Sequence, residues 1–191
     1  MDNMDMEKDK KGKLYSTVVS VLVVAMVVGA IFFTVARKRD KYYLVTEGLE
    51  VPAFSLPTLD GETITLTEQR GKVLLINLWA TWCPACIEEM PSMERLYQDL
   101  KKRDVPFDML AMNIDSSNVK ELKEFARKMN ITFPILYDRS KNVPYLFKSL
   151  GIPETYIVDK KGVIRKKIIG GYDWDRPDTR QLIDKLLKEE G

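Results

Sequence analysis

The sequence predicts an α/β domain, a mixed β-sheet covered by helices on both faces, preceded by one membrane-spanning helix. Three observations carry this expectation. Apolar runs of strand length alternate with amphipathic helical stretches through the C-terminal three quarters of the chain. The last two strands flank a short turn, which makes them an antiparallel hairpin and the sheet mixed. Leu14 to Ala36 holds no charged residue over 23 positions, enough to cross roughly 30 Å of hydrocarbon.

The first 13 residues mix four acids with four lysines, unlike the basic start of a secretory signal. A cleaved signal peptide ending at Thr34-Val35-Ala36 is the alternative to an uncleaved anchor. Signal cores span only about 7–15 residues, which favours the anchor. Lys8, Lys10, Lys11 and Lys13 precede the segment, while Arg37, Lys38, Arg39 and Lys41 follow it. This tie leaves orientation open under the positive-inside rule. Residues 37–47 read as a charged stalk and 48–191 as the folded domain.

Within that domain, Phe54-Ser-Leu56 and Thr63-Ile-Thr-Leu66 alternate around Asp60-Gly61, a hairpin signal. Lys72 to Trp79 is a continuous apolar run after Gly71, suited to a strand buried on both faces. Ile87 to Lys102 has helical composition, and Pro91 inside it predicts a kink. Phe107 to Ile114 is the next strand. Asn118 and Glu121 form a capping box that opens an amphipathic helix to about Met129. Phe133 to Tyr137 is a short strand, and Asn142 to Leu150 a short helix closed by Gly151. Thr155 to Val158 and Val163 to Ile169 flank the turn Asp159-Lys-Lys-Gly162. Asp175 is expected to cap a last helix, with Pro177 in its first turn, ending near Glu189.

Composition narrows the chemistry. The chain has no histidine and only two cysteines. A Cys/His zinc site needs four ligands and cannot be completed. A c-type haem site needs histidine after the second cysteine, where this chain has Ile87. Of the 30 Lys/Arg and 28 Asp/Glu, eight and five precede residue 42, which leaves 22 and 23 in the remainder. No basic excess remains there to attract nucleic acid.

Cys83 and Cys86, in Trp82-Cys83-Pro84-Ala85-Cys86, follow the central strand and open a helix. Unpaired N–H groups and the positive dipole end at a helix start lower the pKa of a thiol, and the thiolate is the nucleophile. Pro84 suits the first turn. Cys86 lies on the same helical face, within reach of a small disulfide. Cys83 would attack a substrate disulfide, and Cys86 would resolve the mixed disulfide. The alternative is a structural pair that happens to sit three residues apart.

Leu78-Trp79-Ala80-Thr81-Trp82-Cys83-Pro84-Ala85-Cys86, followed by Glu89-Met90-Pro91, resembles the TlpA/ResA branch of the thioredoxin superfamily. The resemblance runs from about Gly48 to Trp174. Val51-Pro52-Ala53-Phe54 with Leu59-Asp60-Gly61 is similar to the family's opening hairpin, and Met112-Asn113-Ile114-Asp115 to Pro134 to its central insertion. Gly151-Ile152-Pro153-Glu154-Thr155 is similar to its cis-proline loop. The resemblance implies a thioredoxin-like three-layer α/β/α sandwich, with the catalytic domain facing outward from a bacterial cytoplasmic membrane. It implies no cofactor.

The resemblance also assigns roles. Pro153 would be the cis-proline, with the Ile152 backbone pairing with an extended substrate. Glu89, three residues after Cys86, would carry protons to or from that cysteine. Thioredoxins proper hold a buried acid where this chain has Asn77, which moves proton transfer towards Glu89. Apart from the resemblance, Trp82 is expected to cover the disulfide and offer a contact surface, and Glu154 to rim the groove, with a plain surface carboxylate as the alternative. The implied activity is protein disulfide reduction, with apocytochrome c Cys-x-x-Cys-His thiols as a client and a membrane dithiol carrier as reductant. The most oxidising relatives place a histidine between the cysteines, whereas Pro84-Ala85 offers no side-chain donor and leans towards reduction. Two competing readings are a thiol peroxidase of the peroxiredoxin type and a non-enzymatic binding module. The first needs a Pro-x-x-x-Thr/Ser-x-x-Cys spacing that neither cysteine has, and the intact dithiol opposes the second.

Overall fold

The computed structural model describes residues 19–33 and 44–191. They fall into two units, one up to Tyr43 and one from Leu44 to Gly191. In the first, residues 19–33 are α-helical (α1) with exposed side chains. Among the described residues no helix is long and apolar enough to cross a membrane. Both ends of the expected span, 14–18 and 34–36, lie outside the described residues, as does most of the expected stalk.

The second unit begins earlier than the sequence suggests. Val45 is buried in its core, so residues 44–47 join the domain rather than the stalk. Its strands are β1 (Ser55–Pro57), β2 (Thr63–Thr65), β3 (Val73–Trp79), β4 (Phe107–Asn113), β5 (Ile135–Tyr137), β6 (Glu154–Val158) and β7 (Ile164–Ile169). Its helices are α2 (Pro84–Lys102), α3 (Val119–Met129), α4 (Val143–Leu146) and α5 (Pro177–Lys188), with a 3-10 turn at Leu66–Gln69. The β1–β2 hairpin stands apart from a five-stranded sheet in the order β5-β4-β3-β6-β7. β3 runs parallel to β4 and antiparallel to β6.

β3 is central, and every one of its residues is buried. Alternation splits its side chains between two cores. Val73, Leu75 and Trp79 pack with Met90, Met93 and Leu96 of α2 and with Ile183 and Leu186 of α5. Leu74, Ile76 and Leu78 pack with Leu56, Val143, Phe147 and Tyr156 on the other face. Asn77 is the polar residue of the first set, so it faces α2. The register pairs Leu78 with Glu154. The end of β3 that leads to the cysteines therefore lies beside the end of β6 that Pro153 leads into.

α2 runs from Pro84 to Lys102 with Pro91 inside it. Two expectations need correction. α4 ends at Leu146 rather than Leu150, and Lys148 beyond it has φ 49°. Asp175 does not cap α5: Arg176 occupies that position without a side-chain hydrogen bond. The Asp175 carboxylate instead accepts from Arg95 at 2.5 Å and Arg180 at 3.0 Å. Two guanidinium donors outcompete a helix N–H for the same oxygens. The expected capping box at Asn118 and Glu121 is present in full.

Candidate active site

The dithiol sits where β3 gives way to α2. Cys83 is the N-cap residue, with extended φ −94° and ψ 107°, and Pro84 occupies the first turn. The Cys86 N–H donates to Cys83 Sγ at 3.2 Å, one of the otherwise unpaired donors of a helix start. The two cysteines are joined by a disulfide, with Cα atoms 5.3 Å apart. Cys83 retains 5% exposure and Cys86 none, so an incoming reagent meets Cys83 first. Trp82 beside them is 68% exposed. A large aromatic ring is thus held in solvent next to the disulfide.

Glu89 lies one turn beyond Cys86. The buried residues of α2 recur at Cys86, Glu89, Met90, Met93, Leu96 and Tyr97, the spacing of a helix face turned inward. Glu89 therefore enters the core as one member of an apolar stripe, and 3% of it remains exposed. Asn77 Nδ2 donates to its Oε1 at 2.9 Å. The Tyr172 N–H and Trp174 Nε1 each donate to Oε2 at 3.2 Å. No cation contacts it among the described residues. Burial pushes the Glu89 carboxyl up to about 7, against the opposing pull of Trp174, Asn77 and Tyr172. A carboxyl that ionises near neutrality can both accept and release a proton.

Asn77 bridges two elements, since Nδ2 also donates to Thr155 Oγ1 at 2.8 Å across the β3–β6 pairing. Its Oδ1 is buried without a hydrogen-bond partner. Gly171 lets the loop carrying Tyr172 approach α2: a Cβ there would lie 3.3 Å from the Ala85 carbonyl oxygen. A cleft of about 420 Å³ between α2 and this loop is lined by Ala85, Glu88, Glu89, Ser92, Arg95 and Tyr172, among others. It connects the Glu89 region with solvent. A larger cavity of about 930 Å³, between the β1–β2 turn and α3, contains neither cysteine.

The expected proline loop is beside the site. The Ile152–Pro153 peptide is cis, Ile152 is half-buried, and the Pro153 carbonyl accepts from the Gly170 N–H at 2.9 Å. Glu154 is not on a groove rim. It is 1% exposed, and Lys167, Ser149 and Tyr156 occupy its carboxylate.

Sequence reasoning missed a second acid. Asp115 accepts from the Thr81 N–H at 2.7 Å, the Ser117 N–H at 2.7 Å and Asn113 Nδ2 at 3.1 Å. It ties the active-site turn to the end of β4. Burial works against its ionisation, but the N–H donors of Thr81, Asn113 and Ser117 prevail and hold the carboxyl below its usual range. The run Asp115-Ser-Ser-Asn118 was a legible turn signal, but nothing in it pointed to Thr81. Tyr172 and Trp174 were also missed, because their N–H donors meet Glu89 only through the tertiary fold.

Comparison with known proteins agrees with this geometry. The AhpC/TSA family model matches residues 48–167. A thioredoxin-like protein, YneN of Bacillus subtilis, is 39% identical over 66% of this chain and 73% of its own length. The thiol-disulfide oxidoreductase ResA of Geobacillus thermodenitrificans is 32% identical over 88% of this chain and 95% of its own. A Chlorobium tepidum crystal structure, provisionally assigned as the thiol:disulfide interchange protein DsbE, superposes with a TM-score of 0.66 at 25% identity. That superposition covers 76% of this chain and 99% of the other. With its dithiol at the head of α2 on a thioredoxin-like sheet, the chain belongs to the AhpC/TSA family and is a ResA-like thiol-disulfide oxidoreductase.

Proposed function

We propose that this oxidoreductase works as a protein disulfide reductase outside the cytoplasmic membrane, tethered through Leu14 to Ala36, and that it keeps apocytochrome c Cys-x-x-Cys-His thiols reduced. The observation that carries the reading is the dithiol backed by a buried acid tuned to neutrality. The Cys83 thiolate attacks a client disulfide sulfur and expels one client thiol. The Cys86 thiolate then attacks Cys83 Sγ, which closes the Cys83–Cys86 disulfide and releases the second client thiol. Two electrons pass to the client. Glu89, one turn along the helix, takes the Cys86 proton in this direction and returns it when the disulfide is reduced again. A membrane dithiol carrier would supply those electrons.

Pro84-Ala85 supports the reducing direction, since neither side chain can stabilise a Cys83 thiolate by donating to it. An ionised Glu89 would raise the thiol pKa by like-charge repulsion and act in the same sense. The uncharged segment and the family resemblance support the location. Trapping tests the reading. Cys86→Ala, expressed in membranes, should hold clients as mixed disulfides on Cys83, with apocytochrome c among them by mass spectrometry. A dithiol potential near that of the strongest oxidants would overturn the direction. The AhpC/TSA match makes thiol peroxidase chemistry the second reading. Hydrogen peroxide turnover by the reduced protein would support it, although neither cysteine has the peroxidatic spacing.

A further inference from the structure

Glu154 begins β6 and directly follows Pro153. Its carboxylate takes two donors, Tyr156 and Lys167, and shares the single hydroxyl proton of Ser149 with the Gly151 carbonyl. Ser149 Oγ, in the loop before the proline, lies 3.1 Å from Oε2 and 2.9 Å from the Gly151 carbonyl oxygen. The Tyr156 hydroxyl, on β6, donates to Oε1. Lys167 Nζ, on β7, pairs with Oε1 at 2.9 Å, and the two side chains are only 11% and 2% exposed. The same ammonium donates to the Val45 carbonyl at 2.9 Å and lies 5.3 Å from the Tyr156 ring centroid. Its backbone N–H takes the Glu47 carboxylate at 3.1 Å.

An ion pair this deeply buried adds little net stability over an apolar pair of the same shape. It does impose geometry, because each lone pair and proton must find its partner. Here the geometry belongs to Ser149–Pro153, the segment whose backbone faces a client. We propose that Lys167, Glu154 and Ser149 are positioning residues that set the Ile152–Pro153 backbone in register for client binding. Lys167 anchors the Glu154 carboxylate, Glu154 anchors Ser149, and Ser149 anchors the loop. The inference rests on the reading above that clients pair with the Ile152 backbone. It moves Glu154 from contacting the client to acting through the loop.

The test uses the full chain in detergent, with insulin and an oxidised Cys-x-x-Cys-His peptide as substrates. Ser149→Ala leaves the ion pair intact. It should melt close to wild type and raise the insulin KM about five-fold, the equivalent of about 1 kcal/mol, with kcat and dithiol potential unchanged. Lys167→Met strands a buried carboxylate and should lower the melting temperature. The double variant Glu154→Gln/Lys167→Met should regain the melting temperature and keep the raised KM. Wild-type KM in both Ser149→Ala and the double variant would overturn the inference, as would a fall in kcat without a change in KM. Wild-type turnover of insulin but not of the peptide would instead sink the apocytochrome reading, and the insulin KM values would still judge the loop.

Discussion

Two buried acids flank the dithiol, and each accepts three N–H hydrogen bonds, yet their pKa values move in opposite directions. Glu89 sits in the apolar stripe of α2 and is pushed up to about 7. Asp115 sits at the mouth of β4 and is held below the usual carboxylate range. Deeper desolvation of Glu89 and the stronger donors at Asp115 together explain the difference. Two of the three at Asp115 are backbone N–H groups at 2.7 Å, short bonds to a charged acceptor. Those at Glu89 lie at 2.9–3.2 Å and include an indole and an amide side chain. Burial prevails in the first case and the donors prevail in the second. One fold thus holds one carboxyl that ionises near neutrality and one that is kept ionised while it ties down the turn before the disulfide.

The largest expected effect breaks the first half of this comparison. The folded pKa of Glu89 lies above its ordinary 4.5, so the folded state binds the proton more tightly than the unfolded one. That contribution is fully present below about pH 4.5 and is lost as pH rises through about 7, a swing of about 3 kcal/mol. Urea melts at pH 5 and pH 8 should show this loss in wild type and its absence in Glu89→Gln. The glutamine can be accommodated by a flip of the Asn77 amide, which turns Oδ1 to accept from the glutamine NH2 and from the Thr155 hydroxyl.

Asp115→Asn should show the reverse dependence at a smaller size. The stability Asp115 adds is present above its ordinary pKa and lost as pH falls through the lowered one. The variant should cost about 2 kcal/mol at pH 7 by weakening hydrogen bonds to a charged group. Its cost should shrink in acid. It should also slow exchange, because Thr81 precedes the cysteines by two residues; equal exchange rates in the two proteins would sever Asp115 from the site.

Trp82→Ala should do least to the fold. A ring 68% exposed leaves stability within about 0.5 kcal/mol when removed. Its effect should appear as a raised KM for protein disulfides and little change for a small disulfide. Equal KM values would show that Trp82 does not meet the client.

How far the sequence revealed this comparison depends on what each residue answers to. The continuous run Val73–Trp79, the capping box at Asn118 and the turn before β7 are local, and local periodicity reads them directly. Cys83 and Cys86 were legible because a strand-to-helix junction and three-residue spacing carry their own chemistry. Glu89 was legible through its shared face with Cys86, although its depth of burial was not. Asp115, Trp174 and Lys167 act through partners 34 to 122 positions away, and no periodicity encodes such contacts. Glu154 was misplaced for the same reason: a charged residue beside a binding loop reads as surface until Lys167 is seen beneath it.

The central claim is that Glu89 carries the proton of dithiol exchange at neutral pH. It is tested most directly by the pH dependence of kcat/KM for insulin reduction in wild type and Glu89→Gln. Wild type should show an inflection near pH 7 that the variant lacks, with the variant slower on at least one side of it. Superimposable profiles in the two proteins would contradict the claim and return Glu89 to a structural place in the α2 stripe.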